Sequence, residues 1–155
     1  MFELILSLLG KSIDGPEFRQ LVQQIGAPSS VYDVPIDETN TLRMFEFYEF
    51  GFGVAYNLQS NAFRTIGCEY CSPSKLRPME PFPEPGPSGI DPKDSKRAVQ
   101  KKMTVLPISS RKLKSYVRVT YKSEPHVIEC QFDGKGHALM GFTVALIEPS
   151  ATLSA

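Results

Sequence analysis

The chain has 155 residues, 41% of them apolar and 10% aromatic, with no Trp. A chain of that length suits one domain and buries roughly 68–70% of the surface its unfolded form exposes, so it needs no metal or disulfide to fold. Seventeen basic and seventeen acidic residues cancel, which removes any global pull toward nucleic acid, an anionic membrane or an acidic substrate.

The opening run Phe2, Leu4, Ile5, Leu6, Leu8 and Leu9 covers most faces of a short helix and predicts a buried one over 2–9. It lacks a basic lead-in, carries Glu3, and is far too short to span a bilayer. Gly10 is a plausible stop. Asp14 is expected to cap a second helix with Pro16 and Glu17 in its first turn. Phe18, Leu21, Val22 and Ile25 then fall at i, i+3, i+4 and i+7 and make one apolar stripe. Gly26 ends it and Pro28 blocks continuation. Residues 29–41 read as loop. Residues 42–50, 52–58 and 62–71 read as strands, the second alternating Phe52, Val54, Tyr56 and Leu58 with small or polar residues, and 59–61 is the turn.

Seven of the thirteen prolines lie between Pro73 and Pro92. Their spacing predicts an extended, polyproline-like stretch, read as a stiff connector over 73–88 rather than as a ligand for an SH3-type module. Asp91 is expected to cap a third helix with Pro92 in its first turn, running to Met103; Pro107 closes that region. A strand over 114–122 follows. Ile128, Cys130 and Phe132 alternate with polar residues in another. Asp133-Gly134-Lys135-Gly136 signals a hairpin, and 137–147 returns as a strand. Residues 149–155 read as a tail.

The pieces with chemistry in them are few. Cys68-Glu69-Tyr70-Cys71 is a CxxC, but at a strand end its two thiols point to opposite faces, and a tetrahedral zinc site would need Cys130, His126 or His137 to complete it. The odd cysteine count argues against a disulfide framework and for a reducing compartment. His126 and Cys130 stand four residues apart in a strand, roughly 13 Å, too far to form a nucleophile pair; His137 with Cys130 is the one arrangement a small hydrolase would use. No P-loop, dinucleotide fingerprint, HExxH or serine elbow is present. Ten Lys/Arg fall between Lys93 and Lys122. With Tyr116 and Tyr121 they make a candidate nucleic-acid surface, against which the neutral total counts. The expectation is therefore no catalytic residue, no metal and no cofactor.

What remains is binding. Phe45, Phe47, Tyr48, Phe50, Phe52 and Tyr56 crowd one meander. If half of them face the core, the other half lies on the open face, where aromatics anchor partners. Glu46 and Glu49 sit among them. With Asp33, Asp37 and Glu38 they offer acidic steering toward a basic partner.

The elements also recur. Asp14–Gln23 aligns with Asp91–Gln100 at a shift of 77, matching Asp14/Asp91, Glu17/Asp94, Arg19/Lys96, Val22/Val99 and Gln23/Gln100, and each match precedes a meander. A capped helix ending at Gly26-Ala27-Pro28, followed by an antiparallel meander and then repeated, resembles the tandem-repeat group of β-lactamase inhibitor proteins and small outer-membrane lipoproteins. Leu8-Leu9-Gly10-Lys11 with Phe18–Gly26 behind it is similar to small bacterial immunity proteins that neutralise toxins. The resemblance implies a rigid sheet that binds another protein. The expected architecture is α+β in one domain, 1–155. It has two similar helix-plus-antiparallel-meander halves (1–72 and 89–148), with the helices packed on one side of the sheet. The expected role is a non-enzymatic, cytoplasmic, bacterial protein-binding protein, in the form of toxin immunity or enzyme inhibition, with no membrane contact.

Overall fold

Every period-two pattern in the sequence resolves into a strand of one sheet. The computed structural model describes residues 1–71 and 78–147; the first part of the proline-rich connector and the tail lie outside the described residues. The strands are β1 (Ser30–Pro35), β2 (Thr41–Phe47), β3 (Phe52–Asn57), β4 (Ala62–Glu69), β5 (Ser109–Lys112), β6 (Tyr116–Ser123), β7 (His126–Asp133) and β8 (Leu139–Leu146). They form a single eight-stranded sheet in the order β1-β2-β3-β4-β8-β7-β6-β5, with every named pair antiparallel. Each group of four is a meander joined by hairpins, which is the cheapest antiparallel connection. The two meanders meet where β4 pairs with β8. The protein is thus a mostly-sheet α+β fold.

Helices α1 (Phe2–Leu6), α2 (Pro16–Ile25) and α3 (Lys96–Met103) contribute Phe2, Ile5, Leu21, Val99 and Met103 to the same core as the inward side chains of the sheet. That inward face is read from alternation. Phe45 and Phe47 on β2, Phe52, Val54 and Tyr56 on β3, Phe63, Ile66 and Cys68 on β4, and Ile128, Cys130 and Phe132 on β7 are all buried. An aromatic chain links them: Phe47 stacks on Phe52 with centroids 4.7 Å apart, and Phe63 meets Phe18, Phe45 and Tyr56 at 5.0–6.0 Å. Offset and edge contacts of this kind add to the burial itself.

Several expectations are corrected by this geometry. β1 runs through residues read as loop, and β5 follows Pro107 where no strand was expected. Both are edge strands. β5 is exposed along its whole length and β1 is at most half-buried, so neither carries the apolar alternation that marks a strand in sequence; Pro35 at the end of β1 suits an edge. Residues 48–50 leave the expected strand as a single 3-10 turn, Tyr48–Phe50, closed by Gly51 in the left-handed region at φ 67. A side chain at Gly51 would collide with the backbone of Glu80 and Phe82, so the glycine admits the connector against the sheet.

Neither expected aspartate cap forms. α2 starts at Gly15 with no side-chain cap, and α3 starts at Ser95, whose Oγ accepts from the Ala98 N–H at 3.2 Å. Asp91 instead heads a turn. Its Oδ1 accepts from Lys93 N–H, and its own N–H donates to Asp94 Oδ2 at 2.9 Å. The helices consequently begin at positions 16 and 96, and the shift-77 match between Asp14–Gln23 and Asp91–Gln100 is not a structural register.

The described part of the connector is no bare spacer. Phe82 is 3% exposed and its ring lies 6.2–6.4 Å from those of Phe2, Phe52, Tyr70 and Phe142. The single Tyr70 O–H is shared between the Glu84 and Ile90 carbonyls at 3.0 and 3.2 Å, and the Phe82 N–H donates to the Glu69 carbonyl at 2.7 Å.

Candidate functional site

A strand that buries one set of side chains must display the other set on the opposite face. On the open face of the central strands that other set is unusually small: Gly53 and Ala55 on β3, Thr65 and Gly67 on β4, Gly141 and Thr143 on β8. The backbone is therefore the floor of a groove of about 260 Å³. Met44 of β2, Met140 of β8, Cys71 and Met79 wall it, and the carboxylates of Glu46 and Glu69 stand in it. Register explains why they reach the same space. Glu46 lies opposite Gly53, Gly53 opposite Gly67, and Glu69 is one step further along the same face of β4. With no side chain at 53 or 67, nothing separates the two acids.

The two carboxylates are poorly served. Glu46 Oε1 accepts a hydrogen bond from the Tyr32 hydroxyl at 2.7 Å, while Glu46 Oε2 is fully buried with no hydrogen-bond partner. Glu69 is held above the usual carboxylate range, first by burial and then by the negative charge of Glu46. Among the described residues no cation pairs with either. No Lys or Arg lines the groove among the described residues; Arg43, on the other face of β2, makes a two-pronged bond to Asp33 at 2.8 and 3.0 Å. A buried carboxylate oxygen without a partner costs free energy, and most such groups in folded proteins do find one.

The aromatic cluster is placed differently from the expectation. Phe45, Phe47, Phe52 and Tyr56 are all at most 6% exposed and belong to the core; none lies on the open face. Phe47 pairs with Phe52 and Phe45 with Val54, so they share one side of the sheet, and it is the buried one. Tyr48 and Phe50 are half-buried in the 3-10 turn, and Glu49 is exposed there. Of the eight residues considered as partner contacts, Glu46 alone lines the groove. Two of the other acids that promised steering are used locally. Asp33 holds Arg43. Asp37 accepts from Thr39 and Asn40, and those bonds lower its carboxyl to about 2. Glu69 was missed altogether. The available signal was glycine inside strands, at 53, 67 and 141, which marks a bulge or a close approach.

The remaining chemistry does not assemble. Cys68 and Cys130 both face the core, on either side of Phe142. Burial pushes the Cys130 thiol up to about 12 and raises that of Cys68 further. Cys71 is exposed. His137 is exposed beyond the hairpin ladder, its N–H donating to Asp133 Oδ1, and is not brought to Cys130. Among the described residues no group of three or more His, Cys, Asp or Glu could hold a metal ion. No helix among them is long and apolar enough to cross a membrane.

The basic segment is partly neutralised, three of its ten bases being ion-paired among the described residues: Arg118 with Glu129, and two others. Lys102 Nζ bonds Asp94 at 2.7 Å and Asp91 at 3.5 Å, Lys122 pairs with Glu124, and Tyr121 is fully buried rather than presented for stacking.

No family model matches the sequence, and no curated protein matches it. Solved structures do. A cysteine-rich secretory protein from Staphylococcus aureus aligns over 90% of this chain and 45% of its own, at 10% identity and a TM-score of 0.51. An extracellular protein containing an SCP domain from Bacillus anthracis aligns over 91% and 45%, at 14% identity and a TM-score of 0.51. A candidate β-lactamase inhibitor protein from Streptococcus mutans aligns over 95% of this chain and 96% of its own, at 17% identity and a TM-score of 0.33. The chain spans less than half the length of the first two. What it shares with those two is a fold.

Proposed function

We propose that this is a non-enzymatic protein-binding protein that docks through the open face of its sheet, with inhibition of an enzyme or immunity to a toxin as its leading form. The observation behind this reading is the groove: a concave, mostly apolar depression on an otherwise pleated face, carrying a buried carboxylate oxygen with no partner of its own. A surface held by eight paired strands is rigid before it meets anything, so association spends little entropy on ordering it. The test is capture of partners from the source cell, set beside binding of single- and double-stranded nucleic acid across a salt series. The expected result is a stoichiometric protein complex. It should be weakened tenfold or more by Gly67→Val, which fills the groove from a position where an added Cβ meets nothing nearer than 3.9 Å. Salt-sensitive nucleic-acid binding lost on Lys112→Ala with Lys114→Ala, and no protein complex, would overturn it.

The two halves are proposed to be copies of one helix–meander unit. The strand order is a palindrome in which each meander contributes its last strand to the centre. Each also carries a register shift near the turn of its last hairpin, at Ala55/Tyr56 and at Gln131/Phe132. The offset of 76 that brings those shifts together places Gly67 on Thr143, and these two pair with each other at the central seam. A two-fold relation between copies would put its axis there.

A further inference from the structure

We infer that the groove is a socket for an arginine side chain projected by the partner protein. The inference rests on the protein-binding reading above and narrows it to a chemistry. A groove of about 260 Å³ has the volume of roughly nine liquid waters, so a long side chain fills it and a bare ion does not. Its walls are Met44, Met79 and Met140, soft and polarizable surfaces that suit an aliphatic stem. Beside the neutral Thr65, Gln131 and Thr143, its charged groups are two carboxylates with no cation of their own among the described residues, one with a buried oxygen that has no hydrogen-bond partner.

A guanidinium supplies what is missing. It is planar, always charged, and carries five donors in a fork that bonds carboxylates at two points, which suits a groove that Glu46 and Glu69 both line. Lysine offers a single strongly hydrated point and would leave more of the groove unfilled. A phosphate backbone is repelled by the same two charges. Binding a cation also removes the repulsion between Glu46 and Glu69 that the empty groove stores. The two acids are not a by-product of the repeated architecture. The offset of 76 sets Ala145 against Glu69, and Thr120, which pairs with Glu129 as Glu46 pairs with Gly53, against Glu46. The second half therefore has no carboxylate at either place.

The test uses the full chain, labelled with nitrogen-15, titrated with three end-blocked hexapeptides that differ only in a central arginine, lysine or citrulline. Citrulline keeps the shape and removes the charge. The arginine peptide is expected to give saturable shifts at the amides of Gly53, Gly67, Glu69 and Gly141. Its affinity should exceed that of the citrulline peptide by at least about tenfold and that of the lysine peptide by less, in line with a hydrogen bond to a charged group. Glu46→Gln with Glu69→Gln should abolish the preference for arginine while leaving the spectrum of Phe132 and other core residues in place. Gly67→Val, which alters no charge, should block the peptide as well and serves as the second variant if the double substitution disturbs folding. Equal binding of the arginine and citrulline peptides, shifts away from the groove, or no saturable shift there would overturn the socket. The two readings fail separately. A captured partner that binds the Glu46→Gln, Glu69→Gln chain as tightly as the original would sink the arginine socket and leave protein binding standing. Absence of any protein complex with the original chain would sink protein binding, and the peptide titration would still judge the groove.

Discussion

Among single residues, the sharpest contrasts lie in the cysteines and glycines. The chain has three thiols in three environments. Cys68 and Cys130 are at most 1% exposed, and a buried thiol resists ionisation because the thiolate loses its solvation. Burial pushes the Cys130 thiol up to about 12 from an ordinary 9.0. Only the thiolate reacts, so at pH 8 an aromatic disulfide reagent should label one thiol per native chain, Cys71, and all three once the chain is unfolded. Rapid labelling of Cys130 in the folded protein would contradict the burial. The glycines divide in the same way. Gly51 admits a connector backbone against the sheet and has a positive φ, while an added Cβ at Gly67 would meet only Thr143 Oγ1, at an ordinary 3.9 Å. One is needed for folding, and the other keeps a groove open. Composition alone cannot tell them apart, because the difference lies in what approaches from a distant part of the chain.

At the level of elements, the helix ends show how local chemistry is decided by geometry. Both Asp91 and Ser95 are good N-cap residues, and the sequence offers them four residues apart. Pro92 and the Asp94 carboxylate make the first into a turn, and the second becomes the cap. Ser95→Ala should therefore cost about 1 kcal/mol, the usual worth of such a cap, measured by denaturant unfolding. Asp91→Ala should act instead through the Lys102 ion-pair cluster and the turn. If Asp91→Ala shortens the helix by circular dichroism and Ser95→Ala does not, the cap has been misplaced. The strands were legible where they are buried on one face, as in β2, β3, β6 and β7. They were not legible at the edges. β1 and β5 owe their extended conformation to hydrogen bonds from β2 and β6, and that pairing leaves no apolar signature in their own residues.

For the molecule as a whole, the connector is the surprise. The sequence reads it as a proline-stiffened spacer, yet Phe82 packs among Phe2 of α1, Phe52 of β3 and Phe142 of β8. It thereby ties the first meander, the second meander and the first helix together. Phe82→Ala should cost roughly 3–5 kcal/mol, the range for removing a buried aromatic, and should lower the thermal midpoint of the whole chain in one transition. A loss confined to the first or the second half would mean that the halves are stabilised independently. The central β4–β8 seam and the shared core make a single cooperative transition the expected outcome.

By itself the sequence determined the period-two strands, the meander turns at 59–61 and 133–136, and the positions of the three helices to within a few residues. Each depends on residues close together along the chain, where spacing and turn chemistry act directly. Only the tertiary structure decided which strands meet at the centre, that β1 and β5 exist, that Phe82 is core, and that the aromatic cluster faces inward as one. It also decided the site. Glu46 and Glu69 are twenty-three residues apart, and nothing in their own neighbourhoods joins them. They share a groove because β2, β3 and β4 pair in a register that sets glycines between them, and pairing across a sheet is a non-local property that no short window of sequence contains.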